Sequence, residues 1–224
     1  MHKPKPAFKS VDTPDGATRR VLIVASNNRH KIEELSQLLG AAWDVRPAAS
    51  LDPEISWIES GTTFLENARI KASVVRRKTA HAVLADDSGL MVDALHGAPG
   101  VQSSSFGGVE GDHARNTQRL MREMAEVPSG KRGAAFQCTL VFLDETGREM
   151  VFTGTCAGEI LQAAAGNGGF GYDPVFGIRT AGGLRALAEL SAEEKSSVSH
   201  RGEATRKFIA AVTSTTEDAP RPQP

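Results

Sequence analysis

The sequence predicts an α/β fold built on a mixed β-sheet, and two observations lead to this prediction. Strand-like and helix-like segments alternate through the first half of the chain, which is typical of parallel strands joined by helices. Two long strand-like runs then follow each other across a short turn, which indicates an antiparallel hairpin. The chain has 224 residues, 40% hydrophobic and 24% charged, so we expect one folding unit, either a large domain or two lobes sharing a sheet.

The first half of the chain contains two predicted strands and two predicted helices. The strands are residues 21–25 and 82–85, which are apolar and rich in Val, Leu and Ile. A second helix is expected from Thr63 to about Lys78, because Thr63 and Glu66 have the spacing of a capping box. The first helix has an apolar stripe at helical spacing and is closed by Gly40; the stripe consists of Ile32, Leu35, Leu38 and Leu39.

The second half starts with a long loop rich in Gly, Pro and Ser at residues 96–111. A helix from about Asp112 to Met124 leads into the hairpin, whose strands are residues 134–143 and 149–157.

The remaining segments are a Gly-rich stretch at residues 166–177 and a final helix that ends near Val212. Ser191 and Glu194 form another capping box ahead of that helix. The two ends of the chain, residues 1–19 and 213–224, are polar, proline-bearing and aperiodic. We expect both ends to be disordered and the folded domain to span residues 20–212.

Composition excludes several classes of function. The 26 basic and 27 acidic residues leave no global positive field for a nucleic acid backbone, so a small anionic substrate is expected instead. The sequence contains no apolar run of membrane-spanning length and no signal peptide, which predicts a cytoplasmic protein without a membrane partner. Cys138 and Cys156 lie in apolar strands at no metal-binding spacing, so buried thiols in a reducing compartment are expected.

A polar loop at residues 26–31, between the first strand and its helix, is a candidate phosphate site. Amides at a helix start attract anions, Lys31 adds a point charge, and Ser26 and Asn28 offer hydrogen bonds to phosphate oxygens. The loop lacks the spacing of a Walker A motif. A plain strand-to-helix turn with an Asn cap therefore stays open as the alternative.

Asp86 and Asp87 directly follow an apolar strand and are the candidate metal site. Adjacent carboxylates repel each other, and Mg²⁺, which prefers oxygen ligands, would relieve the repulsion and activate a water. The alternative is an Asp turn with Ser88 and Gly89. Glu59, in an earlier loop, is either another metal carboxylate or a surface acid.

Asn67 and Lys71 stand four residues apart, so they share one helix face and could offer an amide and a cation to a ligand. A solvated helix face is the alternative for this pair.

Two further segments have the composition of a base-binding site. Phe170 lies among glycines in residues 168–174, where a flat ligand could stack closely. In residues 195–202, Lys195, His200 and Arg201 offer donors to keto oxygens of a base. The alternatives are a packed structural loop and a basic surface loop.

The motifs gain meaning from their order: S-N-N-x-x-K, E-S-G-T-T-F-x-E-N-A-x-x-K-A, A-D-D-S-G-L, G-A-P-G-V-x-S-S, F-G-Y-D-P-V-F and E-K-x-x-x-S-H-R-G. This order closely resembles the inosine triphosphate pyrophosphatase family, also called XTP/dITP diphosphatases, over about residues 21–212. The resemblance implies an elongated mixed β-sheet with flanking helices, in two lobes around a central substrate cleft. It also implies Mg²⁺-dependent hydrolysis of ITP, dITP and XTP to monophosphate and pyrophosphate, usually by a homodimer.

The resemblance also implies roles for individual residues. Asp87 corresponds to the catalytic, metal-linked proton acceptor, and Glu59 is a second candidate metal ligand. Two positions depart from the family pattern: Asn27 stands where many relatives carry Gly or His, and Ile58 where they often carry a second Glu. The implied substrate-binding residues are Ser26, Asn27, Asn28, Lys31, Lys71, Ser88, Phe170, Gly171, Tyr172, Asp173, Lys195, His200 and Arg201.

The resulting hypothesis is that an activated water attacks the α-phosphorus while Mg²⁺, held by Asp87 with Glu59 or Asp86, bridges the triphosphate. A related pyrophosphatase acting on dTTP or modified pyrimidines is one alternative. A nucleotide sensor that has lost hydrolysis is the other, although Lys31, Asp87 and Arg201 are all present.

Overall fold

A computed structural model describes residues 11–12 and 18–217 of the chain, and its eight strands form one mixed sheet. The strand order is β1-β2-β4-β5-β6-β7-β8, with β3 paired to β2. Strand β2 is parallel to β3 and β4, and the other pairs are antiparallel, which confirms the predicted mixed sheet. The strands are β1 (Val11–Asp12), β2 (Thr18–Ala25), β3 (Trp43–Pro47), β4 (Ala82–Val92), β5 (Gly133–Leu143), β6 (Glu149–Ile160), β7 (Phe176–Thr180) and β8 (Gly183–Ala186).

The five helices start and end largely where the caps predict. Both halves of the capping box form at Thr63 and Glu66, and both form again at Ser191 and Glu194. Gly40 closes the first helix with a φ of 60°, a conformation that suits glycine. The helices are α1 (Arg29–Leu39), α2 (Phe64–Arg76), α3 (His113–Glu123), α4 (Ala192–Val198) and α5 (His200–Glu217).

Several boundaries differ from the sequence-based prediction. The expected final helix is two helices, because Ser199 takes an extended conformation between α4 and α5. Helix α5 continues to Glu217, and β1 forms within the segment expected to be disordered. Residues 1–10, 13–17 and 218–224 lie outside the described residues, so disorder of the two ends stays a prediction.

The sequence D-D-S-G lies inside β4 rather than in a turn after it. Asp86 pairs with Leu140 and Asp87 with Thr139 of β5, in an unbroken antiparallel register. The strand continues through these polar residues because the long partner β5 supplies a complete ladder of backbone hydrogen bonds. The interpretation of this segment as an Asp turn is therefore wrong.

Three apolar clusters build two lobes along the sheet. In β2, Leu22 and Val24 face one side of the sheet with α1 and α5, while Val21 and Ile23 face the other side with α2. The third cluster joins the far ends of β4, β5 and β6 to α3 and β7. Because β4, β5 and β6 run through both lobes, they fix the lobes on either side of a central cavity.

Helix α5 approaches the sheet closely where β6 carries Gly154. A Cβ at this position would overlap the carbonyl of His200 and the amide of Ala204. The glycine therefore lets the start of α5 lie directly against the sheet, which positions the two functional candidates at its N-terminus. Within residues 18–217, no helix combines the length and the apolar character that crossing a bilayer requires.

Candidate active site

A cavity of about 530 Å³ lies between the lobes, a size typical of small-ligand sites. All of the residues to which the family resemblance assigns a binding, catalytic or metal role line this cavity, although they come from seven separate segments of the chain. Their roles stay predictions, but the structure brings them together. They are Ser26, Asn27, Asn28, Lys31, Glu59, Lys71, Asp87, Ser88, Phe170, Gly171, Tyr172, Asp173, Lys195, His200 and Arg201.

The loop at residues 26–31 is both a helix cap and one wall of the cavity. The side chain of Asn28 accepts a hydrogen bond from the Lys31 amide at 3.2 Å, and the Ser26 hydroxyl accepts one from the Asn28 amide at 3.1 Å. The capping alternative is thus correct for the local structure. It does not exclude phosphate binding, because the capped turn holds the Lys31 side chain against the cavity.

The side chains of Asp86 and Asp87 lie on opposite faces of the sheet, because successive side chains of a strand alternate between its faces. Asp86 is fully buried, and each of its oxygens has partners. Oδ1 accepts from the Lys31 ammonium at 3.0 Å and from the Ser88 hydroxyl at 2.8 Å, and Oδ2 accepts from Nε of Arg201 at 2.6 Å. Asp86 is therefore an internal counterion, and these contacts disfavour its predicted sharing of a metal with Asp87.

The charge on Asp86 is secured by its neighbours. Burial disfavours the carboxylate, but the charges of Arg201 and Lys31 outweigh burial and hold the pKa of Asp86 well below its usual range. The stabilisation that this carboxylate provides is therefore complete at neutral pH. It is lost only as the pH falls below the ordinary aspartate pKa and through the lowered folded-state value.

Asp86 is one member of a chain of alternating charges that crosses the cavity floor. Beyond Asp86, Arg201 donates to Glu34 at 2.5 Å, and Lys195 donates to the other oxygen of Glu34 at 2.6 Å. Lys195 also donates to Asp173 at 2.7 Å. The same Asp173 oxygen accepts a hydrogen bond from the Phe170 amide at 2.8 Å. Ion pairs thus connect Lys31, beside the phosphate loop, to the loop that carries the aromatic ring.

On the other face of the sheet, Lys71 lies between two carboxylates. Its ammonium is 2.5 Å from Asp87 Oδ1 and 3.2 Å from Glu59 Oε1. Burial raises the pKa of Asp87, and the charge of Lys71 only partly offsets this effect. Burial opposes the charge on Lys71 as well, but Asp87 and Glu59 outweigh it and raise the pKa of the ammonium. A carboxylate with a raised pKa is thus held beside a cation, an arrangement typical of functional sites.

Asn67 does not offer its amide to the cavity, contrary to the prediction. Its side chain is buried, and Oδ1 accepts a hydrogen bond from the Gly61 amide at 2.8 Å. The residue shares a helix face with Lys71 as predicted. Its contact, however, secures the loop that carries Glu59.

The carboxylates fit a magnesium ion only together with a substrate. Within residues 18–217, no three His, Cys, Asp or Glu side chains are grouped so that they could hold a metal. Asp87 and Glu59 nevertheless place two oxygen donors on one cavity wall. Because Mg²⁺ is commonly bound by one or two carboxylates, waters and substrate phosphates, this donor set suits it.

At the opposite end, the cavity offers aromatic surface and hydrogen-bond donors. The Lys195 ammonium is 4.9 Å from the Phe170 ring centroid, and the His200 ring stacks on Phe136 at 4.8 Å with an angle of 10°. Burial lowers the pKa of His200 far below its ordinary value, so the imidazole is neutral. The Tyr172 hydroxyl donates to the Ser103 carbonyl at 2.8 Å and so joins the Gly-rich loop to the loop at residues 96–111.

Several residues of the site were missed in the sequence. Glu34 looks like one of many polar residues on the exposed face of α1, and only its spacing of three from Lys31 hinted at a shared helix face. In the sequence, Phe136 looks like an ordinary core residue of β5. Glu34 contacts the site through Lys195 and Arg201, whereas Phe136 lines the cavity. The other cavity-lining residues that were not predicted are Trp57, Gly89, Val101, Ser103, Ser104, Glu110 and His113.

The fold and the cavity define a two-lobed α/β protein that binds a ligand with both anionic and aromatic parts. Comparison with known families identifies it further. The Ham1 family model matches residues 22–211, and the chain belongs to the Ham1 family. This membership confirms the family suggested by the order of the sequence motifs.

Relatives with known names match nearly the whole folded chain. A dITP/XTP pyrophosphatase of Opitutus terrae is 44% identical over 194 residues, covering 82% of this chain and 94% of that protein. A dITP/XTP pyrophosphatase of Lactiplantibacillus plantarum is 43% identical, covering 85% and 93% of the two chains.

Solved structures of related proteins have the same fold. The Ham1 protein of Staphylococcus aureus superposes with a TM-score of 0.77 at 32% identity, covering 88% of this chain and 100% of that chain. A nucleoside-triphosphatase, or dITP/XTP pyrophosphatase, of Mycobacterium abscessus superposes with a TM-score of 0.67 at 41% identity, covering 86% and 98%. The predicted fold class is thereby confirmed.

Replacing Asp86 with Asn tests the role of the internal counterion. We expect D86N to lower the free energy of unfolding by about 3–5 kcal/mol, because Arg201 and Lys31 would keep buried charges without their shared partner. Urea unfolding at pH 7 measures this change. The control is D52N, which removes an exposed ion pair with Lys78 and should change the midpoint little. Equal effects of the two substitutions would contradict the assigned role.

Proposed function

We propose that this protein hydrolyses the deaminated purine nucleoside triphosphates ITP, dITP and XTP to the monophosphate and pyrophosphate, and so cleanses the nucleotide pool. The observation that carries the proposal is a single cavity with buried cations and carboxylates at one end and an aromatic ring with hydrogen-bond donors at the other. The names of the Opitutus and Lactiplantibacillus relatives support it. A triphosphate has the length and charge to occupy the cationic end while its base lies at the aromatic end.

The triphosphate would be held by Lys31 and Lys71, whose ammonium groups line the cavity. Both are already fixed by carboxylates, Lys31 by Asp86 and Lys71 by Asp87, so their positions are set before substrate arrives. Preorganised cations of this kind stabilise the charge that develops on a leaving phosphate group without reorganisation.

Asp87 would act as the general base. Its oxygen takes a proton from a water molecule as the water oxygen forms a bond to the α-phosphorus. The bond from the α-phosphorus to the oxygen that bridges to the β-phosphate breaks, and pyrophosphate leaves with that oxygen. The raised pKa of Asp87 makes this carboxylate a better proton acceptor than an ordinary aspartate, and Lys71 keeps it oriented.

Asp87 and Glu59 are the residues that would hold Mg²⁺. When bound, the ion supplies positive charge to the phosphate oxygens and lowers the pKa of a bound water. Asp86 takes no part in holding it, because its oxygens are committed to Lys31, Ser88 and Arg201.

The base would be selected by the cations at the other end of the cavity. Arg201 uses three of its five N–H groups on Asp86, Glu34 and Ser88, which leaves donors for a keto oxygen. The 6-keto group of hypoxanthine or xanthine accepts such donors, whereas the 6-amino group of adenine leaves them unpaired at a cost of about 1–3 kcal/mol each. ATP is therefore expected to be a poor substrate.

The remaining properties follow from this activity and from the family. We expect a cytoplasmic location, where the nucleotide pool lies, and Cys138 and Cys156 are buried free thiols that suit a reducing compartment. We also expect a homodimer that binds neither nucleic acid nor membrane, and light scattering of the purified chain tests the oligomeric state.

The activity is tested with a panel of nucleotides at equal concentration with Mg²⁺. Pyrophosphate release from ITP, dITP and XTP should exceed release from ATP by at least about tenfold in kcat/KM, the ratio that one unpaired donor costs. It should also exceed release from dTTP and modified pyrimidine triphosphates. Release of orthophosphate instead of pyrophosphate would contradict the proposal. Higher activity on dTTP would favour the alternative pyrimidine specificity.

Substitution of Asp87 with Asn tests the general base. We expect D87N to bind ITP with an affinity close to that of the wild type but to lose at least about 100-fold in kcat, because the amide cannot take the water proton. Calorimetric binding and single-turnover kinetics separate the two effects. The control is D44N, whose carboxylate pairs with Arg46 on β3, away from the cavity. Wild-type turnover in D87N would show that another residue is the general base.

Substitution of Glu59 with Gln tests the second metal ligand. We expect E59Q to need a several-fold higher Mg²⁺ concentration for half-maximal activity, while activity at saturating Mg²⁺ stays close to that of the wild type. The matched control is E54Q, an exposed carboxylate of the preceding turn. An unchanged Mg²⁺ dependence in E59Q would show that Glu59 is not a metal ligand.

A further inference from the structure

The aromatic ring at the base end of the cavity has a second ring stacked on it. The imidazole of His30 lies 5.1 Å from the Phe170 ring, centroid to centroid, with an angle of 15° between the planes. His30 belongs to the first turn of α1, directly beside the phosphate loop, whereas Phe170 belongs to the Gly-rich base loop. The stack is therefore a direct contact between the two loops that the proposed function assigns to the two ends of the substrate.

His30 contacts Phe170 from outside the cavity lining. Phe170 and His113 line the cavity, but His30 does not, and its side chain is 57% exposed. A ligand in the cavity thus meets the Phe170 ring without displacing His30. The His30 imidazole packs against the Phe170 ring from outside the cavity lining.

Phe170 needs such support because its loop is conformationally permissive. Gly169 and Gly171 on either side of it have φ values of 69° and 64°, in the left-handed region that glycine adopts most readily. The Phe170 amide is fixed by Asp173 at 2.8 Å, but this bond does not set the rotation of the ring. His30, His113 and the Lys195 ammonium contact the ring and so restrict its rotation.

We propose that His30 is a positioning residue for base recognition: its stacked ring holds Phe170 in the orientation that receives the purine. The inference rests on the proposed function for the identity of the ligand. It makes base affinity depend on a residue of the phosphate-loop helix that itself touches neither base nor phosphate. His30 acts on binding and not on the chemical step, because Asp87 and Lys71 lie at the other end of the cavity.

The other neighbour of His30 provides the control. Its Nδ1 lies 3.9 Å from Glu33 Oε2, an exposed pair within one helix turn. Glu33→Ala removes this partner and leaves the stack on Phe170 in place. If His30 mattered only through the helix surface, Glu33→Ala and His30→Ala would have the same effect.

The experiment compares wild type, H30A, H30F and E33A for pyrophosphate release from ITP. We expect H30A to raise KM about threefold to tenfold, the range of an aromatic pair, with kcat within about twofold of the wild type. H30F should restore KM because a phenyl ring can stack in the same place, and E33A should leave KM unchanged. Inorganic tripolyphosphate, which has the phosphates without a base, should inhibit H30A and the wild type with equal constants.

Each other outcome overturns the inference. The inference is wrong if H30A leaves KM unchanged or if H30F fails to restore KM. It is also wrong if H30A loses affinity for tripolyphosphate in parallel with ITP. If the wild type releases no pyrophosphate from ITP, the proposed activity fails on its own. Calorimetric binding of ITP to wild type, H30A and H30F then decides the role of His30 separately, with equal affinities overturning it.

Discussion

The buried ion pair between Asp86 and Arg201 is the interaction on which the rest of the site depends. Both side chains are buried, and each charge would be costly to bury without the other. Their pairing fixes the start of α5 against β4, and α5 can approach because Gly154 of β6 has no side chain. Through Lys31 on one side and Glu34 on the other, the same pair connects the loop at residues 26–31 to Lys195 and the Gly-rich loop.

This arrangement gives the two adjacent aspartates different surroundings. The alternation of side chains along β4 places Asp86 among fixed cations and leaves Asp87 beside Lys71 and the cavity. The environments shift the two pKa values in opposite directions, low for the structural carboxylate and raised for the proposed base. One strand thus supplies both a permanent counterion and a proton acceptor, and neither can replace the other.

The site is also continuous across the two lobes. Ion pairs on the cavity floor and the stack of His30 on Phe170 both join elements of α1 to the Gly-rich loop before β7. These contacts hold α1 and that loop together beside the cavity.

The fold class and the helix caps follow from the sequence, because hydrophobic periods and capping boxes are local patterns. Through the order of its short polar motifs, the sequence also indicates most of the residues that line the cavity, by resemblance to a known family. It could not show that Asp86 and Asp87 face different partners, that Asn67 holds Gly61, or that Glu34 and Phe136 belong to the site. Those facts arise from strand pairing and from contacts between residues as distant in the chain as Glu34 and Arg201. Only the tertiary structure decides them, since a carboxylate takes its role from the charges that folding brings to it.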